Sequence, residues 1–485
     1  MLFTTSYMTL TDKDFKIDVT SEIGTLRAVL IHSPDSGLGK VVPSKAQDWL
    51  FEDIVHLDTL RKKEYDHYVK LLLYFLEPDK IKGRLKELDT DRSFFKPDNK
   101  KFYASTKVIE LQTLLSDILE ETGIRQKLVA SVCAIEGCNY RMQLKLIDTD
   151  PVELAKIFIS GSLNDDEMIF APIPNLIFSR DLGIVINNYI LLNKPAKKAR
   201  FRETLLMRYI FFNHPLFANY RDNILEIPEI VQHFLRPGED TEVKTTLEGG
   251  DVMMVSPDHL IIGCSERTST SGANEAVKLL FQYQVVKKIT IVKIPHKRDY
   301  MHIDTVFTQV KRNMWVLLHS LSVAESPIKQ DEPIAWFADK KSKDRPEIVQ
   351  FREGKKPKTF KSLEDLLSDI SKKDLQSEAE TKFIYSGNNM FPYDAREQWT
   401  DSCNLLALKE GVILGYDRNE KTVEAFKQNG FTIYKAEELL QKFENSELDP
   451  QTLTDALILI PSAELSRARG GFHCMSMPLR RENIV

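Results

Sequence analysis

Short apolar runs that alternate with polar turns fill much of the chain and predict strands. TLRAVLIHSP (25–34) predicts a buried strand that ends at a Ser-Pro turn, whereas residues 1–20 resemble a loose arm. Between about 45 and 165 the apolar positions change to helical spacing. We therefore predict an inserted helical subdomain over 45–165, which divides a main domain formed by 20–44 and 166–485.

The predicted insert contains several helical patterns. Residues 58–76 have helical spacing, and in 105–123 one face carries Val108, Leu111, Leu115 and Ile118. Asp150 and Pro151 provide an N-cap and a first-turn proline, and Gly161 provides a stop, so a third helix is expected between them.

After the insert, one pattern recurs: a polar residue, an apolar strand, a polar turn and a second apolar strand. Turn residues such as Asn187-Asn188 favour hairpins. Helix-like stretches follow three of the four repeats. The repeats are 180–193, 250–268, 303–320 and 402–419, and their leading polar residues are Asp181, Asp251, Asp304 and Asn404.

Repeats of a strand hairpin plus a helix indicate either modules arranged around an axis or a single mixed sheet. With the strand at 25–34 the number of modules would be five. In the cyclic arrangement the leading residues would converge on the centre, although they lie far apart in sequence.

The segment 325–360 is polar and charged, and is predicted to be a mobile surface connection with a short β-pair. Ser362 and Asp365 follow it with the spacing of a capping box, which predicts a helix that begins with SLEDLLSDI.

Composition excludes several classes of protein. The chain has 485 residues, of which 42% are hydrophobic and 28% charged, and this excludes collagen-like, coiled-coil and mostly disordered chains. A net charge of −5 argues against nucleic-acid binding as the main role. No apolar run is long enough to span a membrane, and no signal peptide is recognisable. Five cysteines without zinc-site spacing favour reduced thiols and a cytoplasmic location.

The segment SRARGGFHCMSMPL (466–479) is the most unusual part of the chain. Gly470-Gly471 permits a tight loop, and His473 and Cys474 follow it. A lone cysteine is usually a buried structural thiol, but nearby cationic residues favour the nucleophilic thiolate. Cys474 is therefore a candidate nucleophile.

Three further segments carry candidate acids and bases. MHIDTVFT places His302 and Asp304 two residues apart, on the same face if this segment is a strand. Glu248 comes directly before two glycines. It is either part of a simple turn between strands or a carboxylate held at the start of a strand, where the glycines let a ligand approach closely. Arg180 and Asp181 are neighbours of the kind that usually forms a surface ion pair. Together these residues suit a planar cation, because carboxylates bind the paired N–H donors of a guanidinium and a thiolate can attack its carbon.

Six ordered blocks resemble the signature blocks of bacterial arginine deiminases, which belong to the guanidine-modifying, or pentein, superfamily. The resemblance extends from about residue 20 to the C-terminus. The blocks are PNLIFSRD, LEGGDVMMV, GCSERTS, MHIDTVFT, REQWTDSCN and SRARGGFHCMSMPL.

The resemblance implies a fold and a reaction. The fold is an α/β propeller of five pseudo-symmetric modules, with 20–44 and 166–485 as the catalytic domain and 45–165 as the helical insert. The reaction is hydrolysis of free L-arginine to L-citrulline and ammonia through a covalent thiouronium on cysteine. No metal or other cofactor is implied.

The resemblance also assigns roles to residues. Cys474 would be the nucleophile, His302 the general acid and base, and Glu248 its partner. Asp181 and Asp304 would hold the guanidinium. The residues that would hold the substrate carboxylate are Asn175, Arg200 and Arg267, and Arg469 matches an arginine of the active-site loop.

One departure from the family bears on specificity. The family loop usually reads Gly-Arg-Gly-Arg-Gly-Gly, whereas this chain has Ser466 and Ala468 at two of the glycine positions. These residues have less backbone freedom, which puts strict arginine specificity in question. An amidinotransferase or another guanidine-modifying enzyme on the same fold is the alternative function; a non-catalytic arginine-binding protein and an unrelated thiol hydrolase are further ones.

The expected partner is a small molecule, L-arginine, and neither nucleic acid nor membrane is expected. Formation of a homo-oligomer stays open, as does the role of the helical insert, which could form a subunit interface or shield one side of the main domain.

Overall fold

The computed structural model describes residues 15–46, 48–49, 53–164, 167–228, 245–322 and 345–484. Within these residues the strands form five separate sheets. The strands are β1 (Leu26–Ile31), β2 (Val108–Glu110), β3 (Gly183–Ile186), β4 (Tyr189–Leu192), β5 (Ile224–Glu226), β6 (Val252–Ser256), β7 (His259–Cys264), β8 (Lys288–Lys293), β9 (Phe307–Lys311), β10 (Met314–Leu317), β11 (Glu347–Arg352), β12 (Lys358–Phe360), β13 (Lys382–Tyr385), β14 (Leu406–Lys409), β15 (Val412–Tyr416), β16 (Thr432–Lys435), β17 (Ala456–Ile460) and β18 (Met477–Arg481).

Helices connect and cover these sheets. A π-helical stretch, Thr59–Tyr65, leads directly into the first α-helix. The α-helices are α1 (Asp66–Leu76), α2 (Leu85–Leu88), α3 (Leu111–Leu119), α4 (Thr122–Glu136), α5 (Tyr140–Ile147), α6 (Pro151–Ser160), α7 (Phe201–Asn213), α8 (Thr270–Gln282), α9 (His319–Ser322), α10 (Leu363–Lys373), α11 (Tyr393–Trp399), α12 (Glu420–Gln428) and α13 (Ala436–Glu444).

Each of the four predicted hairpins is present and begins its own sheet. They are β3–β4, β6–β7, β9–β10 and β14–β15, all antiparallel. The strand next to each hairpin is parallel to its second strand, as β8 is to β7 and β17 is to β15. The five sheets therefore confirm the mixed α/β architecture of five modules.

The first sheet brings the two ends of the described chain together. Its order is β18–β1–β2, with Leu30 opposite Met477 in the antiparallel pair. Cys474 lies three residues before β18, so this pairing fixes the position of the glycine loop relative to the first module.

The caps predicted for α6 and α10 are confirmed. The Asp150 carboxylate accepts hydrogen bonds from the N–H groups of the first turn of α6, and Gly161 ends this helix with a left-handed φ of 73°. Ser362 accepts a hydrogen bond from the Asp365 N–H at the start of α10. Helices α7, α8 and α12 follow their hairpins as expected.

The helix predicted over 105–123 is only partly correct. Val108–Glu110 form β2, which pairs with β1 in parallel, and α3 begins at Leu111. Both a short buried strand and the end of an amphipathic helix place apolar residues together, so spacing did not distinguish them. The strand Val108–Glu110 thus lies in the first sheet, inside the range predicted to be a helical insert.

The helices of 45–165 pack against two different parts of the protein. Residues of α1 and the segment up to Val108 share a core with β14, β15, β17 and α13. Helices α3, α4 and α6 share a core with β3, β4 and α7. The subdomain limits of 45 and 165 stay a prediction.

Two predicted loose segments are ordered where they are described. Residues 1–14 lie outside the described residues, but Val19 is buried and bridges to Asn187, so the arm is not loose over 15–20. Likewise 323–344 lie outside the described residues, whereas β11 and β12 form the expected β-pair. Strand β11 also pairs with β8 and extends the third sheet.

Tight 3₁₀ turns precede the first strands of the second, third and fourth sheets. They are Ser179–Leu182, Gly249–Asp251 and Ile303–Thr305, and each successive pair is in contact. The leading residues Asp181, Asp251 and Asp304 lie in these turns, which meet where the modules converge. Within the described residues, no helix combines the length and the apolar character needed to cross a bilayer.

Candidate active site

The nine residues to which the family resemblance assigns site roles lie together in one buried cluster. Eight of them line a single pocket, and the ninth, Asp304, contacts the Cys474 thiol. All nine have small exposed fractions. The eight pocket residues are Asn175, Asp181, Arg200, Glu248, Arg267, His302, Arg469 and Cys474, and the pocket is completed by Phe178, Arg298, Met301, Thr305 and Ala468.

The Cys474 thiol lies between a carboxylate and an amide. Its Sγ is 3.4 Å from Asp304 Oδ2 and 3.1 Å from Asn404 Nδ2. Burial, together with the charges of Asp304 and Asp181, raises the pKa of the Cys474 thiol well above its usual range, and the Asn404 amide acts against this. The free protein therefore holds Cys474 mainly as the neutral thiol at neutral pH.

His302 faces two carboxylates. Its Nε2 is 3.0 Å from Glu248 Oε2, and its Nδ1 is 4.0 Å from Asp181 Oδ1. Burial alone would lower the pKa of His302, but the charge of Asp181 and the hydrogen bond with Glu248 raise it to about 10. Burial opposes ionisation of Glu248, yet His302 and Arg200 hold its pKa at about 2. At neutral pH the pair is an imidazolium and a carboxylate.

His302 and Asp304 do not lie on a strand, as their spacing had suggested. They occupy the 3₁₀ turn before β9, where His302 is the residue before the turn and Asp304 lies inside it. The turn directs them to different partners, since His302 meets Glu248 and Asp304 meets Cys474 and His473.

Asp181 and Asp304 each have one carboxylate oxygen that makes no hydrogen bond. Asp181 Oδ2 accepts a hydrogen bond from Arg200 at 2.7 Å, and Asp304 Oδ2 lies 2.9 Å from His473 Nδ1. The Oδ1 atoms of both residues are buried and make no hydrogen bond. Because an unpaired buried acceptor is costly, two such oxygens beside a thiol indicate a place for a donor from a ligand.

Arg200 lies among carboxylates. Besides Asp181, its guanidinium donates to Glu203 at 2.8 Å and lies 3.6 Å from Glu248. It also donates to the carbonyl of Asn175. Its predicted role at the substrate carboxylate therefore requires that Arg200 change partners.

The other predicted substrate-binding residues lie at the wall of the same pocket. Asn175 donates from Nδ2 to the Trp49 carbonyl at 2.8 Å. The guanidinium of Arg469 stacks on Trp399, with Cζ 3.4 Å from the ring centroid, and its Nε and Nη1 are buried without a hydrogen bond. Arg267 likewise has a buried Nε without a hydrogen bond. Arg267 and Arg469 thus have donors available inside the pocket.

The glycine loop approaches its neighbours as closely as its sequence suggested. A Cβ on Gly470 would lie 2.3 Å from the Phe178 ring, and one on Gly471 would lie 2.4 Å from the Asn404 carbonyl oxygen. Arg469 adopts the left-handed conformation, with a φ of 62°, whereas Ser466 and Ala468 lie in a 3₁₀ turn without positive φ. The backbone at 466 and 468 therefore does not require glycine.

A buried network next to the thiol adds Glu22, which the sequence pattern did not mark as a candidate site residue. His473 Nε2 lies 3.2 Å from Glu22, and Glu22 accepts two hydrogen bonds from Arg180. Arg180 also donates to the carbonyls of His473 and Ser476. Its interpretation as a surface partner of Asp181 is wrong, because Arg180 is buried and binds Glu22 instead.

Asn404 and Glu22 both belong to the surroundings of the Cys474 loop, but only Asn404 has a signal in the sequence. Asn404 leads the fourth repeat, so its convergence with Asp181 and Asp304 could be foreseen. Glu22 lies in a short segment before β1, where nothing in the pattern marks it as buried.

Asp181, Glu248 and His302 have the donor atoms of a metal site. One ligand atom from each lies within 4.8 Å of the others. However, the Arg200 guanidinium lies 2.7 Å from Asp181 and 3.6 Å from Glu248, and already balances these charges. The donor set therefore fits an internal ion-pair cluster better than a divalent cation, and the absence of a metal stays a prediction.

Comparison with known proteins finds curated relatives that align over almost the whole chain. The chain is 29% identical over 483 residues to an arginine deiminase of Borrelia garinii subsp. bavariensis, covering 96% of this chain and 98% of the relative. It is 30% identical over 483 residues to an arginine deiminase of Borrelia recurrentis, with the same shares covered. Among solved structures, SxtG, an amidinotransferase from Microseira wollei, matches with a TM-score of 0.46 and 14% identity, covering 96% of this chain and 98% of that chain.

The model of the arginine deiminase family matches residues 140–481. This segment contains the 3₁₀ turns, the glycine loop and every residue of the predicted site. The chain belongs to the arginine deiminase family.

Proposed function

We propose that this protein hydrolyses free L-arginine to L-citrulline and ammonia, with Cys474 as the nucleophile. The observation that carries the proposal is a pair of buried oxygens without hydrogen bonds, Asp181 Oδ1 and Asp304 Oδ1, in one cluster with a thiol that contacts Asp304. A guanidinium offers planar N–H donors to such oxygens and an electrophilic carbon to the sulfur. Family membership and the arginine deiminase relatives support the same substrate.

Substrate binding begins with an exchange of cations. The guanidinium of arginine binds Asp304 Oδ1 and both oxygens of Asp181, and it displaces Arg200 from Asp181 Oδ2. Arg200 is then available, with Asn175, Arg267 and Arg469, to bind the substrate carboxylate. These residues favour free arginine over ligands that lack a carboxylate.

The bound cation also prepares the nucleophile. The pKa of Cys474 is raised by burial and by nearby carboxylates, and a guanidinium held by those carboxylates offsets their charge. The thiol then releases its proton to solvent water, and the thiolate attacks the guanidinium carbon to form a tetrahedral adduct.

His302 is the general acid and then the general base. Its pKa of about 10 keeps it protonated at neutral pH, so it can donate a proton to the departing amino group as the C–N bond breaks and ammonia leaves. The S–C bond remains in a thiouronium intermediate. Neutral His302 then takes a proton from water, and the resulting hydroxide attacks the same carbon. Cleavage of the S–C bond, with transfer of the hydroxyl proton to the sulfur, releases citrulline and restores the neutral thiol.

The proposal is tested by product analysis with purified protein. L-arginine should give citrulline and ammonia in equal amounts, and agmatine, which lacks the carboxylate, should react far more slowly. A parallel incubation with an added primary amine tests the amidinotransferase alternative. Transfer of the amidino group to that amine without release of ammonia would contradict the proposal, and so would the absence of citrulline.

A further inference from the structure

The Asn404 side chain contacts Cys474 through both of its polar atoms. Its Oδ1 accepts a hydrogen bond from the Cys474 N–H at 3.0 Å, and its Nδ2 is 3.1 Å from Sγ. Asn404 is 1% exposed, so solvent does not compete strongly for these contacts. The nucleophile is therefore held by a single amide at its backbone and at its sulfur.

The orientation of this amide follows from its partners. A backbone N–H can only donate, so the Asn404 atom that faces it must be the carbonyl oxygen. The NH₂ group then points to Sγ and donates to it. Such a donor stabilises a thiolate more than a thiol, because the hydrogen bond to a charged acceptor is stronger.

The side-chain N–H of Asn404 counteracts the negative charges around the Cys474 sulfur. The carboxylates of Asp304, Asp181 and Asp401 all oppose ionisation of Cys474, whereas the Asn404 hydrogen bond favours it. An aspartate in place of Asn404 would keep the oxygen that binds the Cys474 N–H. It would also replace the N–H donor at Sγ with a carboxyl oxygen.

Position 404 also differs from the corresponding positions of the other three repeats. The other three hairpins have Asp181, Asp251 and Asp304 as leading residues, and only the fourth has an amide, Asn404. Asp251 has a comparable structural contact, since its Oδ1 accepts the N–H of Ile303, next to His302. Thus the leading residue at 251 fixes the backbone beside His302, and the one at 404 fixes the backbone of Cys474 and also contacts its sulfur.

We propose that Asn404 is a catalytic residue that stabilises the Cys474 thiolate through its side-chain N–H and fixes the nucleophile through its carbonyl oxygen. This inference rests on the proposed function, in which Cys474 attacks the substrate. Its contact with Sγ separates it from residues that act only by supporting the loop.

The test measures Cys474 ionisation without arginine. The protein is alkylated with iodoacetamide across a range of pH, and modification of the peptide that contains Cys474 is quantified by mass spectrometry. The variants are Asn404→Asp, which keeps the backbone contact, and Asn404→Ala, which removes both contacts. Asn419→Asp is the matched control, because Asn419 is also buried and its side chain contacts Thr400. Circular dichroism and thermal unfolding confirm that each variant folds.

The midpoint of the alkylation profile should move to higher pH by about one unit or more in both Asn404 variants and should not move in Asn419→Asp. With arginine, kcat should fall at least about tenfold in Asn404→Asp, with a smaller change in KM. An unchanged midpoint in a folded Asn404→Asp protein would overturn the inference, as would an unchanged kcat for arginine in that variant. Failure of the proposed function would appear differently, as absence of citrulline with a normal shift in alkylation.

Discussion

At the scale of single residues, the site combines a neutral thiol with a protonated imidazole and ionised carboxylates. Cys474 has a raised pKa, and His302 has a pKa of about 10. The site therefore differs from a preformed thiolate–imidazolium pair, in which the sulfur would already carry a negative charge in the free protein. The substrate cation is therefore part of the activation of the nucleophile in this account.

Loss of the negative charge of Asp181 should weaken binding of the substrate guanidinium. Asp181→Asn replaces a carboxylate by an amide and removes the charge that faces both Arg200 and His302. We expect kcat/KM for arginine to fall by about a hundredfold or more, because a charge-assisted pair is lost at the reacting group. Steady-state citrulline assays measure this change, with Asp258→Asn, an exposed residue paired with Lys287, as the control. A near-normal kcat/KM would remove Asp181 from the guanidinium site.

The pH dependence should depend on Glu248. Its carboxylate helps to keep the pKa of His302 at about 10, so Glu248→Gln should lower the pKa of His302. His302 would then lose its proton at a lower pH, and the alkaline limb of kcat/KM should move down by about one unit or more. A pH–rate profile measures this shift. An unmoved alkaline limb would contradict the role of His302 as the acid.

At the scale of elements, the position of the thiol depends on the close fit of the glycine loop to the fifth sheet. A Cβ on Gly471 would lie 2.4 Å from the Asn404 carbonyl oxygen, a backbone atom that cannot move without displacing the start of β14. Gly471→Ala should therefore lower the free energy of unfolding by about 1–3 kcal/mol and strongly reduce citrulline formation. Thermal unfolding and activity assays measure both effects.

Gly123→Ala is the matched control for this prediction. At Gly123, in the first turn of α4, the Cβ would meet only the flexible Glu121 side chain, at 3.1 Å. We expect wild-type stability and activity from this variant. Equal behaviour of the two variants would show that the contact between Gly471 and Asn404 does not constrain the loop.

Much of the element structure could be predicted from the sequence, because its signals are local. The hairpins, the cap at Asp150 and the stop at Gly161 depend on residues close together in the chain. The strand Val108–Glu110 could not be separated from helix α3, since its assignment depends on pairing with the distant strand β1. The buried ion pair between Arg180 and Glu22 could not be predicted for the same reason. These two residues are 158 positions apart in the chain.

At the scale of the whole molecule, the site lies where the modules meet and where the first and last described strands, β1 and β18, pair. Glu22, before β1, binds Arg180 of the second module and His473 of the C-terminal loop. Burial opposes ionisation of Glu22, but Arg180 and His473 lower its pKa. This carboxylate therefore connects three distant parts of the chain as an anion.

Loss of this connection should affect stability and activity together. Glu22→Gln leaves the buried Arg180 without its charged partner, and we expect the free energy of unfolding to fall by about 3 kcal/mol. Because the folded-state pKa of Glu22 is lowered, its contribution is present above the ordinary carboxyl pKa and is lost as the pH falls towards the lowered value. Chemical denaturation at neutral and acidic pH measures this; a mutational effect that did not shrink in acid would contradict the linkage.

The most direct test of the account is citrulline formation by Cys474→Ala compared with Cys133→Ala. Cys133 is a buried thiol in α4, where it belongs to the core shared with α3 and α7 and does not line the pocket. Cys474→Ala should fold but form no citrulline from L-arginine, while Cys133→Ala should keep its activity. Citrulline formation at the normal rate by the folded Cys474→Ala protein would contradict this prediction.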